Sequence, residues 1–349
     1  MLQILKNAEI NRSQWAALVQ ANATGTWFQM PEAYDFFASL PELFRPFAIA
    51  IESESVSAQP ILRGVCIGYV TIEKSIIKQF FSRRTIILGG PVLVDNVTDE
   101  EVEALMNAVC NELKNKAIFI ETRNFNDFSI WKEAFKMAGF EYQPHLNFHV
   151  DTSSVETVEA NLGKSRKRDI RTTIREGVTI TSIYDLGLQI DDLERERMVH
   201  EYYQVLRNLY ETKVKTPLFP ESFFQTLAKH PDARFLLTEL NGKIIGGTVC
   251  VAQEGKCLYE WFACGEDGVY PHVFPSCYAT YAGIKYAAEH GMPHFDMMGA
   301  GKPDEAYGVR DFKAKFGGKE VEHGRFLCIT KPLLYKIGVL GVKILKKLK

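Results

Sequence analysis

Apolar strand patterns and amphipathic helical patterns follow one another along the chain, and their order occurs twice. The first half predicts a helix that starts with proline (31–37), three apolar strands (44–53, 62–70 and 83–93), a helix (99–116), a strand (117–123) and a last helical segment (131–143). The second half reads in the same order, over residues 220–230, 233–240, 243–252, 256–265, 275–291, 293–299 and 309–322. In each half the last segment carries a Phe-Lys pair with a glycine a few residues later.

The repeat predicts a tandem α/β protein with mixed sheets. We expect a first domain over 1–150, a second over 151–325, and a final strand with a basic tail over 326–349. A basic segment at 162–180 connects the two copies, and its Ile170/Ile174 spacing suits a helix that meets one apolar seam. The segment reads either as a solvated basic face or as part of a tRNA-binding surface.

Composition narrows the class of protein. The chain has 349 residues, of which 46% are hydrophobic and 24% charged, and its net charge is −2. These values exclude a disordered or collagen-like chain and argue against a DNA-binding protein. The seven cysteines form no CxxC pair, so we expect reduced thiols. No apolar run reaches the roughly 18 residues of a membrane-spanning helix and no secretory signal is visible, so we expect a cytoplasmic protein.

The candidate chemistry lies at the end of the strand predicted at 293–299. A glycine-containing loop follows it, and four cations occur within 14 residues: Lys302, Arg310, Lys313 and Lys315. Loops at strand ends hold ligands in α/β proteins, and cations there bind phosphates or stabilise an oxyanion. A solvated loop with surface lysines is the alternative. The histidines show no HExxH spacing, and neither GxSxG nor a P-loop occurs, so we expect no metal and no covalent nucleophile.

Two further positions have a functional and a structural interpretation. The helix predicted at 275–291 begins at Pro275 and Ser276, where free N–H groups either receive a phosphate or carboxylate or are simply capped. Tyr259 and Trp261 alternate along one strand and share a face, which either lines a pocket or packs in the core.

The last 19 residues, 331–349, contain six lysines and no acid. On a helix, one broad face collects the apolar residues Leu333, Leu334, Ile337, Leu340, Ile344, Leu345 and Leu348, and the other gathers Lys336, Lys343 and Lys347. Such a helix lies on an anionic membrane or docks on the protein's own core with its lysines outside.

The order of several motifs resembles the Fem-type (FemABX) non-ribosomal peptidyl transferases and related acyltransferases with tandem GNAT-like domains. Residues 25–29, followed by Tyr34, look like the family's Phe-Gln…Trp opening. Residues 90–91 look like its Gly-Pro, and residues 167–178 resemble its Arg-rich helix ending in Gly-Val. The most specific series of matching positions is 259–265, Pro275, Ile284, Ala287, Gly291, 295–296, Gly299, 307–308, 312–313 and Phe316.

The resemblance implies an α/β (α+β) chain of two tandem GNAT-like domains, each a mixed, mostly antiparallel sheet flanked by helices. It also implies acyl transfer from an activated donor to an amine, without an acyl-enzyme. In Fem enzymes the donor is aminoacyl-tRNA and the acceptor a peptidoglycan precursor. No tightly bound cofactor is expected, and the donor is aminoacyl-tRNA or acyl-CoA.

The resemblance also implies roles for the residues at matching positions of this chain. Lys313 is implied to stabilise the reacting carbonyl or to bind phosphate, and Asp296 to take or orient the amine proton or else to cap a turn. The expected substrate-binding residues, from the resemblance and from the residue patterns together, are Tyr259, Trp261, Arg310, Phe312, Lys302, Tyr307 and Ser276.

The chain departs from the family in three places. The lysine that often follows the opening is missing from residues 35–39, and 181–219 is too short for a long helical arm. The acyl-CoA loop of ordinary GNAT enzymes is also absent, so CoA would need another cradle, such as the helix start at Pro275 and Ser276.

We therefore expect an acyltransferase or aminoacyltransferase that modifies an amine of a cell-envelope precursor, such as a peptidoglycan peptide. We expect it to bind the precursor, in a lipid-linked or a free form. We also expect residues 331–349 to contact the inner face of the membrane. The alternatives are an acyl-CoA-dependent N-acyltransferase acting on an amino sugar of a surface polysaccharide, and a catalytically silent protein that binds an envelope precursor. The second domain is expected to hold the active site.

Overall fold

The computed structural model describes residues 2–53, 60–73, 83–186 and 190–348, with side chains up to residue 341. The chain forms two compact units, one of residues 1–145 and 322–349 and the other of residues 146–321. The last strand and the final helix thus belong to the first unit, whereas the sequence analysis set 326–349 apart as a segment of its own.

Strands β1 to β15 are Leu2–Lys6, Phe44–Ser53, Ile61–Thr71, Arg84–Leu88, Val92–Leu93, Phe119–Arg123, Glu141–Gln143, Leu146–Asp151, Thr179–Ser182, Ala233–Leu240, Lys243–Gln253, Cys257–Gly265, His294–Asp296, Lys319–Glu322 and Arg325–Ile329. Helices α1 to α12 are Arg12–Ala21, Pro31–Ala38, Asp99–Leu113, Lys132–Met137, Val155–Asn161, Lys164–Arg175, Ile183–Leu186, Asp192–Leu209, Glu221–Leu227, Pro275–Glu289, Gly308–Ala314 and Pro332–Leu348.

The first unit is built on a sheet with the order β1-β2-β3-β4-β6-β15-β7, with β5 paired to β3. Most of its strands are antiparallel, but β4 and β6 run parallel and α3 connects them. Helix α3 begins where Thr98 and Glu101 form a capping box. Its apolar face, including Val102, Leu105 and Val109, is buried in the core of this unit.

The second unit repeats this arrangement in a sheet with the order β14-β8-β13-β12-β11-β10-β9. Strands β10, β11 and β12 are antiparallel, and β12 then pairs in parallel with β13 through the crossover helix α10. Ile284 and Ala287 of α10 pack with Phe295 of β13 in the core. The prediction of two tandem GNAT-like domains with mixed sheets is confirmed.

One predicted strand, 83–93, is wrong as a single element. Gly89 and Gly90 adopt positive φ angles of 82° and 77°. This left-handed backbone ends β4 and starts a turn before the short strand β5, because residues with a Cβ rarely adopt it.

The final helix α12 has the predicted span. Near its start, Tyr335 packs edge-on against Phe119 of β6, with ring centroids 5.5 Å apart. Three apolar side chains of α12 face solvent: Leu333 is 78% exposed, Ile337 is 54% exposed and Leu340 is 59% exposed. The predicted face members Ile344, Leu345 and Leu348, and the lysines at 343 and 347, lie outside the described side chains. In the described part of the chain, no helix is both long enough and apolar enough to cross a bilayer.

Candidate active site

The site lies where the parallel pair of the second unit separates. Pairing between β12 and β13 ends at Tyr259 opposite Asp296, and β12 continues alone on this side to Gly265. A β-bulge against β11 interrupts the register between Glu260 and Phe262. Such an opening at the carboxyl end of parallel strands leaves backbone and side chains free to meet a ligand.

Lys313 reaches this opening from α11. Its Nζ donates to the carbonyl oxygen of Met297 and, at 2.9 Å, to that of Gly299. Burial lowers the pKa of the Lys313 amine, and the nearby carboxylates of Glu260 and Asp296 oppose that shift. An ammonium group has three donors, so one N–H remains for a reacting group when two are held by the backbone.

Asp296, at the end of β13, is almost fully buried and firmly held. Its Oδ1 accepts from Asn147 Nδ2 at 2.7 Å and from the backbone N–H of Met298 at 2.6 Å. Met298 has a positive φ of 53°, and the bond to Asp296 closes the turn that it makes. The other oxygen, Oδ2, lies 3.1 Å from Nε2 of the half-buried His149. Asp296 thus both closes a turn and orients an imidazole.

Glu260 is a buried acid that sequence reasoning passed over. It lies on β12 with 5% of its surface exposed, accepts from the Thr248 hydroxyl at 3.2 Å, and has a pKa raised by burial. The Lys313 charge opposes that rise. The sequence showed Glu260 only as one polar position in an apolar strand. Asn147 and His149 were also missed, because β8 was not predicted.

The two aromatic candidates on β12 occupy different surroundings. Tyr259 is buried opposite Asp296, and burial raises the pKa of its hydroxyl well above the usual value. Trp261 is half-buried at the bulge and packs edge-on against Phe223 of α9, with ring centroids 5.3 Å apart. Their roles in substrate binding stay predictions.

Two substrate-binding candidates, Arg310 and Lys302, contact each other in the segment after β13. Arg310 donates to the carbonyl oxygens of Ala300, Pro303 and Lys302. Lys302 itself is exposed, with its Nζ 3.5 Å from a Glu305 carboxylate oxygen.

Two aromatic side chains complete the predicted loop. Tyr307 lies beneath Gly301, where an added Cβ would meet its ring at 2.8 Å. Phe312 stacks under the guanidinium of Arg166, 4.3 Å from its ring centroid. These contacts fix the loop between β13 and α11, and binding of a substrate by its residues stays a prediction.

The start of α10 already holds an anion from the chain itself. Ser276 donates its backbone N–H to Asp267 Oδ1 at 3.3 Å and its hydroxyl to Asp267 Oδ2. The prediction that Ser276 binds substrate is untested, and the donors it would offer are engaged with Asp267.

In the first unit, a buried glutamine lies just beyond the parallel strand β4. Gln29 donates to the carbonyl oxygens of Gly89 at 3.1 Å and Gly90 at 2.8 Å, just beyond β4. Its own amide oxygen accepts from the Thr26 N–H at 2.8 Å, and only 1% of Gln29 is exposed. This side chain bonds the backbone beyond β4, and Arg123 at the end of β6 is ion-paired with Glu121, 3.0 Å away.

The arrangement suits a reaction in which negative charge grows on a carbonyl oxygen while an amine loses a proton. Lys313 supplies the cation, and Glu260 and the Asp296–His149 pair supply proton-accepting groups. In the part of the chain that the structure describes, no group of three or more His, Cys, Asp or Glu side chains has the arrangement of a metal site.

Comparison with known proteins identifies a domain family for part of the chain and a fold for nearly all of it. Residues 164–313 match the family model described as Acetyltransferase (GNAT) domain. The crystal structure of FemX is similar at 14% identity and a TM-score of 0.68, over 95% of this chain and 99% of that one. No protein with curated function matches the sequence significantly.

Two more solved structures share the fold. The C-terminal domain of a putative lysylphosphatidylglycerol synthetase from Agrobacterium fabrum is similar at 13% identity and a TM-score of 0.57, over 96% of this chain and 95% of that one. A tandem GNAT protein from the clavulanic acid biosynthesis pathway is similar at 10% identity and a TM-score of 0.57, over 95% and 99%. The chain therefore has the tandem GNAT-like fold of these structures, and its residues 164–313 match a GNAT acetyltransferase domain.

Proposed function

We propose that the chain transfers an acyl or aminoacyl group from an activated ester or thioester to an amine of a cell-envelope precursor, at the opening between β12 and β13. The observation that carries the proposal is the placement of Lys313, a partly buried lysine whose amine is held by two backbone carbonyls and lies near the buried carboxyl groups of Glu260 and Asp296. A fixed cation of this kind contributes most when charge appears beside it.

The reaction proceeds by direct attack. The acceptor amine adds to the donor carbonyl, and the resulting oxyanion receives the remaining N–H of Lys313. The amine proton passes to a carboxylate or to His149, which Asp296 orients. Collapse of the intermediate breaks the bond to the donor alcohol or thiol, and the leaving group takes up a proton.

The proposed acceptor belongs to the cell envelope, with the peptide of a peptidoglycan precursor as the first candidate. The fold shared with FemX supports this choice, as does the motif order that resembles the Fem-type family. An amino sugar of a surface polysaccharide is the second candidate, supported by the GNAT acetyltransferase match over 164–313. The same nucleophile, a primary amine, serves in both.

We further propose that α12 holds the enzyme on the inner membrane face, beside a lipid-linked acceptor. The exposed side chains of Leu333, Ile337 and Leu340 recur at helical spacing, and Lys336 adds positive charge near them. An apolar stripe flanked by lysines suits an anionic lipid surface, and confinement there raises the local concentration of a lipid-linked acceptor.

The test is a transfer assay by mass spectrometry on the purified chain. Wild type is incubated with charged tRNA or acyl-CoA and with a muramyl peptide or an amino sugar, beside Lys313→Met and the control Lys285→Met. Lys285 is a lysine on α10 whose Nζ lies 3.3 Å from Glu289. We expect acylated acceptor from wild type and the control but not from Lys313→Met. Acceptor binding without transfer by wild type would favour the silent binding protein instead.

A further inference from the structure

The helix that carries Lys313 is too short to fix its own position. Helix α11 has seven residues, and a helix of that length has few internal hydrogen bonds. Its last four carbonyl groups have no partner within the helix, and that of Phe312 is one of them. The position of the Lys313 side chain therefore depends on what lies against this carbonyl end of α11.

Arg166, in the first turn of α6, lies against the carbonyl end of α11. Its Nη2 donates to the carbonyl oxygen of Phe312 at 3.3 Å. Its guanidinium lies 4.3 Å from the ring centroid of Phe312 and 5.1 Å from that of Phe316, and only 9% of Arg166 is exposed. A cation is also favoured at this end of a helix by the backbone dipoles. One planar group thus holds the backbone next to Lys313 and the aromatic rings on both sides of it in the sequence.

The backbones of the same two segments meet without a side chain between them. The N–H of Gly163, just before α6, donates to the carbonyl oxygen of Lys315 at 3.0 Å, and a Cβ on Gly163 would lie 2.8 Å from that oxygen. A Cβ on Gly317 would lie 2.3 Å from the carbonyl oxygen of Asn161. The start of α6 and the end of α11 are therefore in direct backbone contact, which brings Arg166 onto the Phe312 ring.

A carboxylate on α6 orients the Arg166 guanidinium. Asp169 lies one helical turn further along, is 6% exposed, and has its Oδ2 3.5 Å from Arg166 Nη1. The opposite charge offsets part of the desolvation cost of burying the guanidinium. With Nη1 directed to Asp169, Nη2 is directed to the Phe312 carbonyl.

We propose that Arg166 is a positioning residue for acyl transfer. It fixes the carbonyl end of α11 so that Lys313 Nζ stays on the carbonyl oxygens of Met297 and Gly299 and keeps its remaining N–H for the reacting group. The proposal rests on the acyl-transfer function above and gives one arginine of the basic segment 162–180 a role within the site. Because Arg166 acts through Lys313, its loss lowers kcat and leaves KM nearly unchanged.

The experiment is a double-mutant cycle in the mass-spectrometric transfer assay. Values of kcat and KM are measured for wild type, Arg166→Met, Lys313→Met and the double variant, each corrected to the folded fraction by circular dichroism. The matched control is Arg234→Met. Arg234 is another buried arginine of the second unit, with its guanidinium 3.6 Å from the ring centroid of Tyr184 and its Nε donating to the Tyr286 hydroxyl at 2.9 Å.

We expect Arg166→Met to lower kcat about tenfold or more, with KM within about twofold of wild type, because the catalytic cation is displaced. In the Lys313→Met background the same change should lower kcat by less than about twofold, because the group that Arg166 positions is gone. A merely structural role would lower kcat by the same factor in both backgrounds. Arg234→Met should keep the wild-type kcat per folded molecule.

A second variant, Arg166→Lys, serves where Arg166→Met does not fold. Lysine keeps the charge but has neither the planar face nor the fork of arginine, so we expect a lower kcat and the same dependence on Lys313. The proposal is overturned by a kcat of Arg166→Met or Arg166→Lys within about twofold of wild type, or by equal losses in the two backgrounds or in Arg234→Met. Either result, with turnover still dependent on Lys313, refutes only the role of Arg166. Wild-type turnover in Lys313→Met would instead refute the proposed function at this site, and the role of Arg166 with it.

Discussion

At the scale of single residues, the site joins groups that are far apart in sequence. Lys313 comes from α11, Glu260 from β12, and Asp296 from β13, and Asn147 on β8 donates to Asp296. The sequence analysis named Lys313 and Asp296 as candidates because they fall on motif positions of the Fem-type resemblance. It could not identify Glu260 or His149, because only the packing of the strands brings them to the site.

Lys313→Met tests the catalytic cation. The substitution keeps most of the side-chain length and removes the charge, so the oxyanion loses one donor in the transition state. We expect turnover to fall about 100- to 1,000-fold, which is the usual cost of removing one such donor. Binding of the acceptor, measured by calorimetry, should change little. Turnover within twofold of wild type would remove Lys313 from the mechanism.

Glu260→Gln tests the electrostatic pairing by the pH profile. Burial lowers the pKa of Lys313 and Glu260 opposes that shift, so loss of the Glu260 charge lowers the pKa of Lys313 further. If the ammonium form is needed, activity is present below this pKa and is lost as pH rises through it. We therefore expect the alkaline limb of kcat/KM to move to lower pH.

The matched control for the pH profile is Glu289→Gln, on the same helix as Lys285. Its alkaline limb should coincide with that of wild type. An alkaline limb in Glu260→Gln that stays in place, or moves upward, would contradict the pairing.

At the scale of elements, the sequence predicted much of the framework for a physical reason. Strands such as β10 and helices such as α3 carry strong periodic patterns with turn or capping residues at their ends. Two elements were missed for different reasons. Strand β8 alternates apolar and polar residues over Leu146–Asp151, so its pattern could have revealed it. Helix α8 places polar residues over much of its surface, which weakens its pattern. The bulge at Trp261 depends on pairing with β11 and has no local signature.

The exposed face of α12 makes a prediction of its own. Ile337→Glu with Leu340→Glu places two acids on the apolar stripe, which disfavours its burial in lipid. We expect binding to anionic vesicles in a flotation assay to be lost, while the melting temperature stays within about 2 °C because both side chains are exposed. Removing residues 331–349 should have the same effect on vesicles.

The control for vesicle binding is Ile130→Glu, a change at a residue of the first unit that is 75% exposed. It adds an acid outside α12, so its vesicle binding should match wild type. Undiminished flotation of the α12 double variant would refute the membrane role of this helix.

At the scale of the whole molecule, the two units share an arrangement but differ at the ends of their parallel strands. In the first unit Gln29 makes three hydrogen bonds beside the end of β4, and Arg123 at the end of β6 is ion-paired with Glu121. In the second unit Lys313 donates to the backbone carbonyls of Met297 and Gly299. Duplication of a unit allows one copy to keep the chemistry and the other to become structural. We therefore propose that the second unit alone carries out acyl transfer.

Gln29→Leu separates stability from activity. It leaves buried backbone groups of Thr26, Gly89 and Gly90 without this partner, which costs about 1–3 kcal/mol in the free energy of unfolding. We expect a lower midpoint in urea denaturation and an unchanged kcat per folded molecule. Gln3→Leu, at an exposed position of β1, should change neither. A large loss of kcat in folded Gln29→Leu would show that the first unit takes part in catalysis.

The most direct test of the central claim is a single-turnover transfer measurement, in which mass spectrometry follows the acceptor amine in the presence of wild type, Lys313→Met or Lys285→Met. We expect an acylated amine with wild type and Lys285→Met, and a rate about 100-fold or more lower with Lys313→Met. Equal rates in all three proteins would contradict the assignment of the active site to the opening between β12 and β13.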